Sequence, residues 1–238
     1  MKKLYLFILT MITIGAIVFG FFKYIYSTDK STSFSEEYGK NVENIVIDGS
    51  LMNIKLKEGD SFGVDYSGSE KLCPKVEYST NSKTITIKQP DNKNNRKAIR
   101  EDNDLTVFIP ANTKLTSFAI TLSLGDVSLG NLSADTITID SALGSLKASS
   151  IVADKINVVA NLGDINLGKC DCKDIDIEAN LGNIEIDVDG NLEDFSITAE
   201  ASLGNISIGS DSYKGNFSQT GNAGTIKVKC DLGNVTVE

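Results

Sequence analysis

NLGDINL, residues 161–167, is the stretch whose reading decides the fold, because it returns throughout the second half of the chain. The other copies are SLGDVSL (123–129), ALGSLKA (142–148), NLGNIEI (180–186), SLGNISI (202–208), NAGTIKV (222–228) and DLGNVTV (231–237). Their glycines, Gly125, Gly144, Gly163, Gly182, Gly204, Gly224 and Gly233, are spaced by 19, 19, 19, 22, 20 and finally 9 residues. In every copy the residue before glycine is Leu or Ala, and the second and fourth residues after it are apolar. Polar residues fill the positions between, which is the period-two pattern of a strand with one buried face. A second alternating stretch lies between copies: Ile137 and Ile139, Ile156 and Val158, Ile175 and Ile177, Phe195 and Ile197, then Phe217.

A unit of this size cannot bury its apolar face alone, whereas stacked copies share one continuous core. The spacing therefore predicts an all-β, single-domain β-solenoid of about 19–20 residues per coil. Regular repeats run over 117–238, with Leu, Ile and Val inside and polar residues outside. Successive coils are expected about 4.8 Å apart. Each glycine is expected at a corner needing positive φ, or where neighbouring backbones approach closely. The short last spacing predicts that the final coil is irregular and caps the column.

Upstream, alternation begins near Ile45, so 41–116 reads as the N-terminal β capping part of the solenoid. Pro110 ends a strand, since it has no amide hydrogen for a continuing ladder. The polar run from Gln89 to Asp104 reads as an exposed loop. Residues 27–40 (STDKSTSFSEEYGK) have little to bury and read as a flexible linker. Residues 1–26 read as a transmembrane signal-anchor. Residues 4–22 are uncharged and mostly apolar, and a helix of that length spans roughly 29 Å, close to the hydrocarbon thickness of a bilayer. Lys23 and the tyrosines Tyr5, Tyr24 and Tyr26 suit the two interfaces. The bilayer is thus an expected partner through residues 4–22. The expected location is the cell membrane, single-pass, with the C-terminal domain extracytoplasmic.

Composition narrows the chemistry. The 238 residues carry 32 acidic and 23 basic side chains, a formal charge of -9, and no His. Such a balance opposes nucleic-acid binding, which depends on neutralising phosphates. Without imidazole there is no Ser-His or Cys-His nucleophile and no histidine metal ligation.

Two signatures, the opening Ile-x-Ile-Asp-Gly-Ser at Ile45 to Ser50 and the strings of Leu-Gly-Asp/Asn-Ile-x-Leu/Ile, resemble the bacterial putative-adhesin family of β-helical, membrane-anchored envelope proteins, a domain of unknown function. Leu105 to Pro110 followed by Asn112 to Leu115 looks like that family's lead-in to its repeats. The resemblance covers about 41–238. It implies an envelope protein with no catalytic signature to carry over, and a sensory or accessory role in envelope stress as the second reading.

Several residues stand out as candidate sites. Asp126 and Asp164 follow their glycines, as calcium ligands do in some solenoids, although turn chemistry accounts for them equally simply. The stretch Asp171 to Asp194 gathers nine carboxylates around Lys173, which reads as a solvated, aggregation-blocking face or a weak cation surface. Cys73, Cys170, Cys172 and Cys230 fit buried thiols, a disulfide, or a thiolate metal site. Asn161, Asn180 and Asn222 are placed to form amide ladders. Lys93, Arg96, Lys97 and Arg100 make a small basic patch. No cofactor is expected. The function this predicts is non-enzymatic: an adhesion or structural surface toward cell-wall polymer or envelope proteins, with solenoid ends open to self-association. The alternatives are a signalling accessory and a carbohydrate-active β-helix enzyme.

Overall fold

Inward Ile and Val residues spaced two apart can be buried only if each coil lays them over those of the next, and the register of the strands does this. In the computed structural model, which describes residues 30–39, 41–90 and 102–238, residues 31–238 form one all-β, β-solenoid-like unit. The expected anchor at 1–26 and the basic patch at Lys93, Arg96, Lys97 and Arg100 lie outside the described residues. No helix among the described residues is long and apolar enough to cross a membrane.

The chain runs through β1 (Ser31–Tyr38), β2 (Asn44–Gly49), β3 (Asn53–Gly59), β4 (Phe62–Ser69), β5 (Lys75–Ser79), β6 (Thr84–Lys88), β7 (Asp104–Pro110) and β8 (Lys114–Leu122). Three long coiled strands follow, β9 (Val127–Leu143), β10 (Leu146–Leu162) and β11 (Ile165–Leu181), then β12 (Ile184–Val188). The chain ends with β13 (Phe195–Ile208), β14 (Asp211–Gln219), β15 (Gly224–Leu232) and β16 (Val235–Val237). β8 through β11 stack in parallel at an offset of 19 residues, so that Ile137, Ile156 and Ile175 are successive partners. Val127, Leu146, Ile165 and Ile184 form a second buried row, and Leu132, Ile151 and Cys170 a third.

The order of coils in space departs from their order in the chain at both ends. β15 lies between β11 and β13, and β16 lies between β12 and β13. Likewise β2 lies between β6 and β8, and β3 between β7 and β9. The last coil is therefore interior and not the expected cap. β14 forms the outer edge by turning back antiparallel on β13, which uses up the side where a further coil would have added. At the opposite end β4 runs antiparallel on β7 and β1 antiparallel on β4 as the edge, while β5 is an antiparallel edge on β6.

Aromatic pairs sit at these ends. Tyr213 and Phe217 of β14 lie 4.5 Å apart, Phe34 stacks on Tyr66 at 5.9 Å, and Tyr38 meets Tyr78 at 6.0 Å. The expected flexible linker is accordingly in part a strand: in Ser31–Tyr38 the aromatic rings of Phe34 and Tyr38 pack against the core from one side. Gln89 and Asn103, expected in an exposed loop, are buried. The Gln89 side-chain amide accepts from the Ser50 and Leu51 N–H groups and donates to the Leu51 carbonyl, serving the first corner as a further coil would. Asn103 Oδ1 accepts from the Tyr66 hydroxyl and the Ser69 N–H.

Because β15 and β16 supply the interior residues Ile226, Val228, Val235 and Val237, their loss opens the sheet in its middle. Ending the chain at residue 221 is expected to abolish the cooperative unfolding transition, since each such apolar side chain contributes about 2–5 kcal/mol against truncation. Thermal unfolding followed by circular dichroism checks this, and a truncated chain melting within a few degrees of the intact one contradicts it.

Candidate interaction surface

Strand alternation has to break once per coil. Ala160 and Ile165 both point inward, and the four residues between them cannot alternate strictly. The break is absorbed at glycine. Gly125, Gly144, Gly163, Gly182 and Gly233 all take φ between 133 and 153°, a region that side chains with a Cβ avoid. Crowding is as strict as conformation, since a Cβ on Gly163 would lie 2.0 Å from the carbonyl oxygen of Gly144. Gly204 belongs to the same corner by crowding: its Cβ would meet the Gly233 carbonyl at 1.8 Å. Gly224 does not. It opens β15 beside Phe195, and its unit NAGTIKV joins the Ile175 and Ile197 row, which is the other series of strands. Its glycine is required there by the Lys173 carbonyl, 2.1 Å from where a Cβ would be.

The outcome at the corner is a row of leucines facing water. Leu143, Leu162, Leu181, Leu232 and Leu203 are successive partners in the parallel register. Corner hydrogen bonds from Gly125 N–H to the Leu143 carbonyl, and from Met52 N–H to the Leu124 carbonyl, continue the row to Leu124 and Leu51. Leu203 is 68% exposed and the five from Leu124 to Leu232 are 37–48% exposed, while Leu51 is half-buried. Seven rungs at about 4.8 Å make a stripe roughly 29 Å long. Sequence reading placed these leucines inside with the other apolar residues. Counting residues between inward positions across glycine was the signal that could have moved them outside.

Polar rows flank the stripe. At this corner an Asn or Asp side-chain oxygen, after Met52 in the first coil and after glycine in the others, accepts a backbone N–H of the adjacent coil: Asn53 from Asp126, Asp126 from Ser145, Asp164 from Asn183, Asn183 from Asn234, and Asn234 from Asn205. This gives Asp126 and Asp164 the turn role. They stand two coils apart with Ser145 between, and among the described residues no cluster of acidic or thiol groups is arranged to hold a metal. Before each leucine, Asn180 donates to Asn161 at 2.7 Å, the expected amide ladder. Asn222 is not in that row; its N–H bonds the Asp194 carbonyl.

The remaining candidates resolve into packing and surface. All four cysteines are free. Cys170 continues the Leu132 and Ile151 row, Cys172 that of Ala134 and Ala153, and Cys230 lies between Ala179 and Ala201. The hydrogen bond to Cys172, together with burial, pushes the Cys170 thiol far above its ordinary value, and burial raises Cys230 as well. The outward Asp174, Asp176 and Glu178 are met by the inserted β15, which sets Lys227 beside Asp176 and Lys229 between Glu178 and Glu200. Opposite charges facing each other across a sheet each add about 0.2–1 kcal/mol. A cleft of ≈ 670 Å³ is bordered by Ile109, Asn112, Asn131, Ser133, Ser150 and Val152, and Lys57 and Glu58 are the charged residues of its lining.

Comparison with known proteins bears on the fold. The family model described as Toastrack DUF4097 matches residues 42–238. A crystal structure of a "putative cell adhesion protein" from Clostridium sporogenes superposes with a TM-score of 0.54 at 12% identity, covering 87% of this chain and 99% of that one. A "putative adhesin" from Bacteroides fragilis gives 0.48 at 13% identity, covering 89% and 98%. No curated protein matches the chain.

Substituting the corner separates its two components. Gly163→Ala is expected to cost more than about 2 kcal/mol, because it combines a disfavoured φ with a backbone collision. Asn161→Ala, on the exposed row beside it, should cost less than about 1 kcal/mol. Urea unfolding midpoints measure both, and equal midpoints for the two variants refute the corner argument.

Proposed function

The chain belongs to the Toastrack DUF4097 family, and from that premise we propose that it is a membrane-anchored, extracytoplasmic solenoid acting as a non-enzymatic adhesion or structural interaction surface of the bacterial cell envelope. The single observation carrying this reading is the leucine stripe. A soluble monomer exposes single apolar residues freely, whereas its largest contiguous apolar patch, on the order of 300–600 Å², is often functional. Seven aligned leucines on a protein of charge -9 form such a patch.

Other features support it. The apolar residues 4–22 suit an anchor. The cleft supports binding over catalysis. Its lining offers one carboxylate, Glu58, and the chain has no histidine to activate a nucleophile, whereas glycoside hydrolysis needs two carboxyl groups facing each other. The similar structure from Clostridium sporogenes is described as that of a "putative cell adhesion protein", in keeping with a surface role.

The double variant Leu162→Lys, Leu181→Lys tests the reading in the full chain. Both side chains are already half exposed, so folding stability should change by less than about 1 kcal/mol. Retention of the detergent-dispersed protein on lipid-free cell-wall material, where the apolar 4–22 segment has no bilayer to enter, is expected to fall at least about tenfold by co-sedimentation. Unchanged retention by a normally folded variant would refute the assignment of the stripe.

A further inference from the structure

We propose that the leucine stripe is the interface for a second copy of this chain, the two solenoids lying side by side and parallel about a two-fold axis that runs along the stripe. This rests on reading the stripe as the contact surface, and it names the partner. The first argument is pitch. Any surface that buries every rung has to present apolar groups about every 4.8 Å for roughly 29 Å. A second copy does so with no adjustment, and the contact is isologous, the commonest form of closed assembly.

The second argument is charge. The row before the leucines reads Ser50, Ser123, Ala142, Asn161, Asn180, Asp231 and Ser202, and the row after the glycines reads Asn53, Asp126, Ser145, Asp164, Asn183, Asn234 and Asn205. Neither row holds Lys or Arg, so the corner offers nothing to anionic headgroups, which a chain of charge -9 already repels. In the parallel arrangement each row faces the other at the same level. Asp126 then lies opposite Ser123, Asp164 opposite Asn161, and Asp231 opposite Asn234, so every carboxylate meets a neutral donor. An antiparallel pair would instead centre on Leu162 and set Asp164 against Asp164, a like-charge clash. Self-association is therefore assigned to the long side of the column. The ends expected to carry it end in antiparallel edges, and the pairing of β13 with β14 is broken by extra residues of β13 between Ala201 and Asn205.

The third argument is size. The exposed parts of seven leucines amount to on the order of 500 Å² per copy, and with the flanking rows a pair buries on the order of 1,200 Å², the lower limit for specific interfaces.

Sedimentation velocity of the full chain, with Cys73→Ser removing the half-buried thiol, provides the test. The intact stripe should give a dimer at micromolar concentration. Leu181→Lys should weaken it at least about 100-fold, because an ammonium is then buried unpaired twice at the two-fold axis. Val152→Lys, exposed and half a coil away from Leu162 in the chain, should leave it unchanged. In the same background, Leu124→Cys and Leu203→Cys each cross-link to themselves with a short bismaleimide only if the copies are parallel. Cross-linking of Leu162→Cys alone overturns the parallel arrangement. A monomer at all concentrations overturns the proposal altogether. If that monomer still loses envelope retention on lysine substitution, the surface reading survives without the dimer; a dimer with unaltered retention leaves the inference standing and removes that reading.

Discussion

The whole arrangement depends on one close approach between backbones. At the repeated corner the carbonyl oxygen of each glycine occupies the place where the next coil's glycine would carry a Cβ. That contact fixes the axial level of every coil. Hydrogen bonds 2.9 Å long from Gly144 N–H to the Leu162 carbonyl and from Gly163 N–H to the Leu181 carbonyl then lock the level in place. Asx side chains accept the neighbouring amides and complete the corner. The inward rows of Ile and Val align because the corner has already set their height, so hydrophobic burial supplies the driving force and glycine supplies the register.

The same contact turns the leucine outward. A residue with positive φ between two inward positions changes the parity of the strand, and the side chain just before it is left on the surface. Structural need and surface chemistry are therefore coupled: every coil that gains a corner glycine gains an exposed leucine beside it. Surface rows elsewhere follow from stacking too. Lys114, Asp135, Asp154 and Lys173 form a chain of ion pairs across successive coils, with nitrogen to oxygen distances from 2.5 to 3.9 Å. Exposed pairs of this kind contribute little singly, about 0–1 kcal/mol.

Periodicity made the stacked architecture readable, because the 19-residue spacing of Gly125, Gly144, Gly163 and Gly182 is both the sequence repeat and the coil. Whatever depends on the order of coils in space was not readable. The insertion of Gly224–Leu232 between earlier coils changes no local pattern, and so Lys227 and Lys229 could not be matched to Asp176 and Glu178 in advance. Ser31–Tyr38 was hidden for a different reason: two aromatic residues among serines and glutamates are too few to outweigh composition. Gln89 and Asn103 were hidden as well, since a polar side chain replacing a backbone partner looks like loop chemistry until its partners are known.

A column whose final strands are interior has a temporal property. Synthesis delivers β13 and β14 before β15 exists, so during elongation or export the sheet holds a vacant slot bounded by β11 on one side and β13 on the other. Both borders are unpaired strand edges lined inside by isoleucine. Closure waits for β15 and β16 to clear the ribosome or the translocation channel, and a nascent chain stalled earlier displays those edges to every neighbour. The arrival of β15 is thereby recorded in the fold itself, as the filling of that slot.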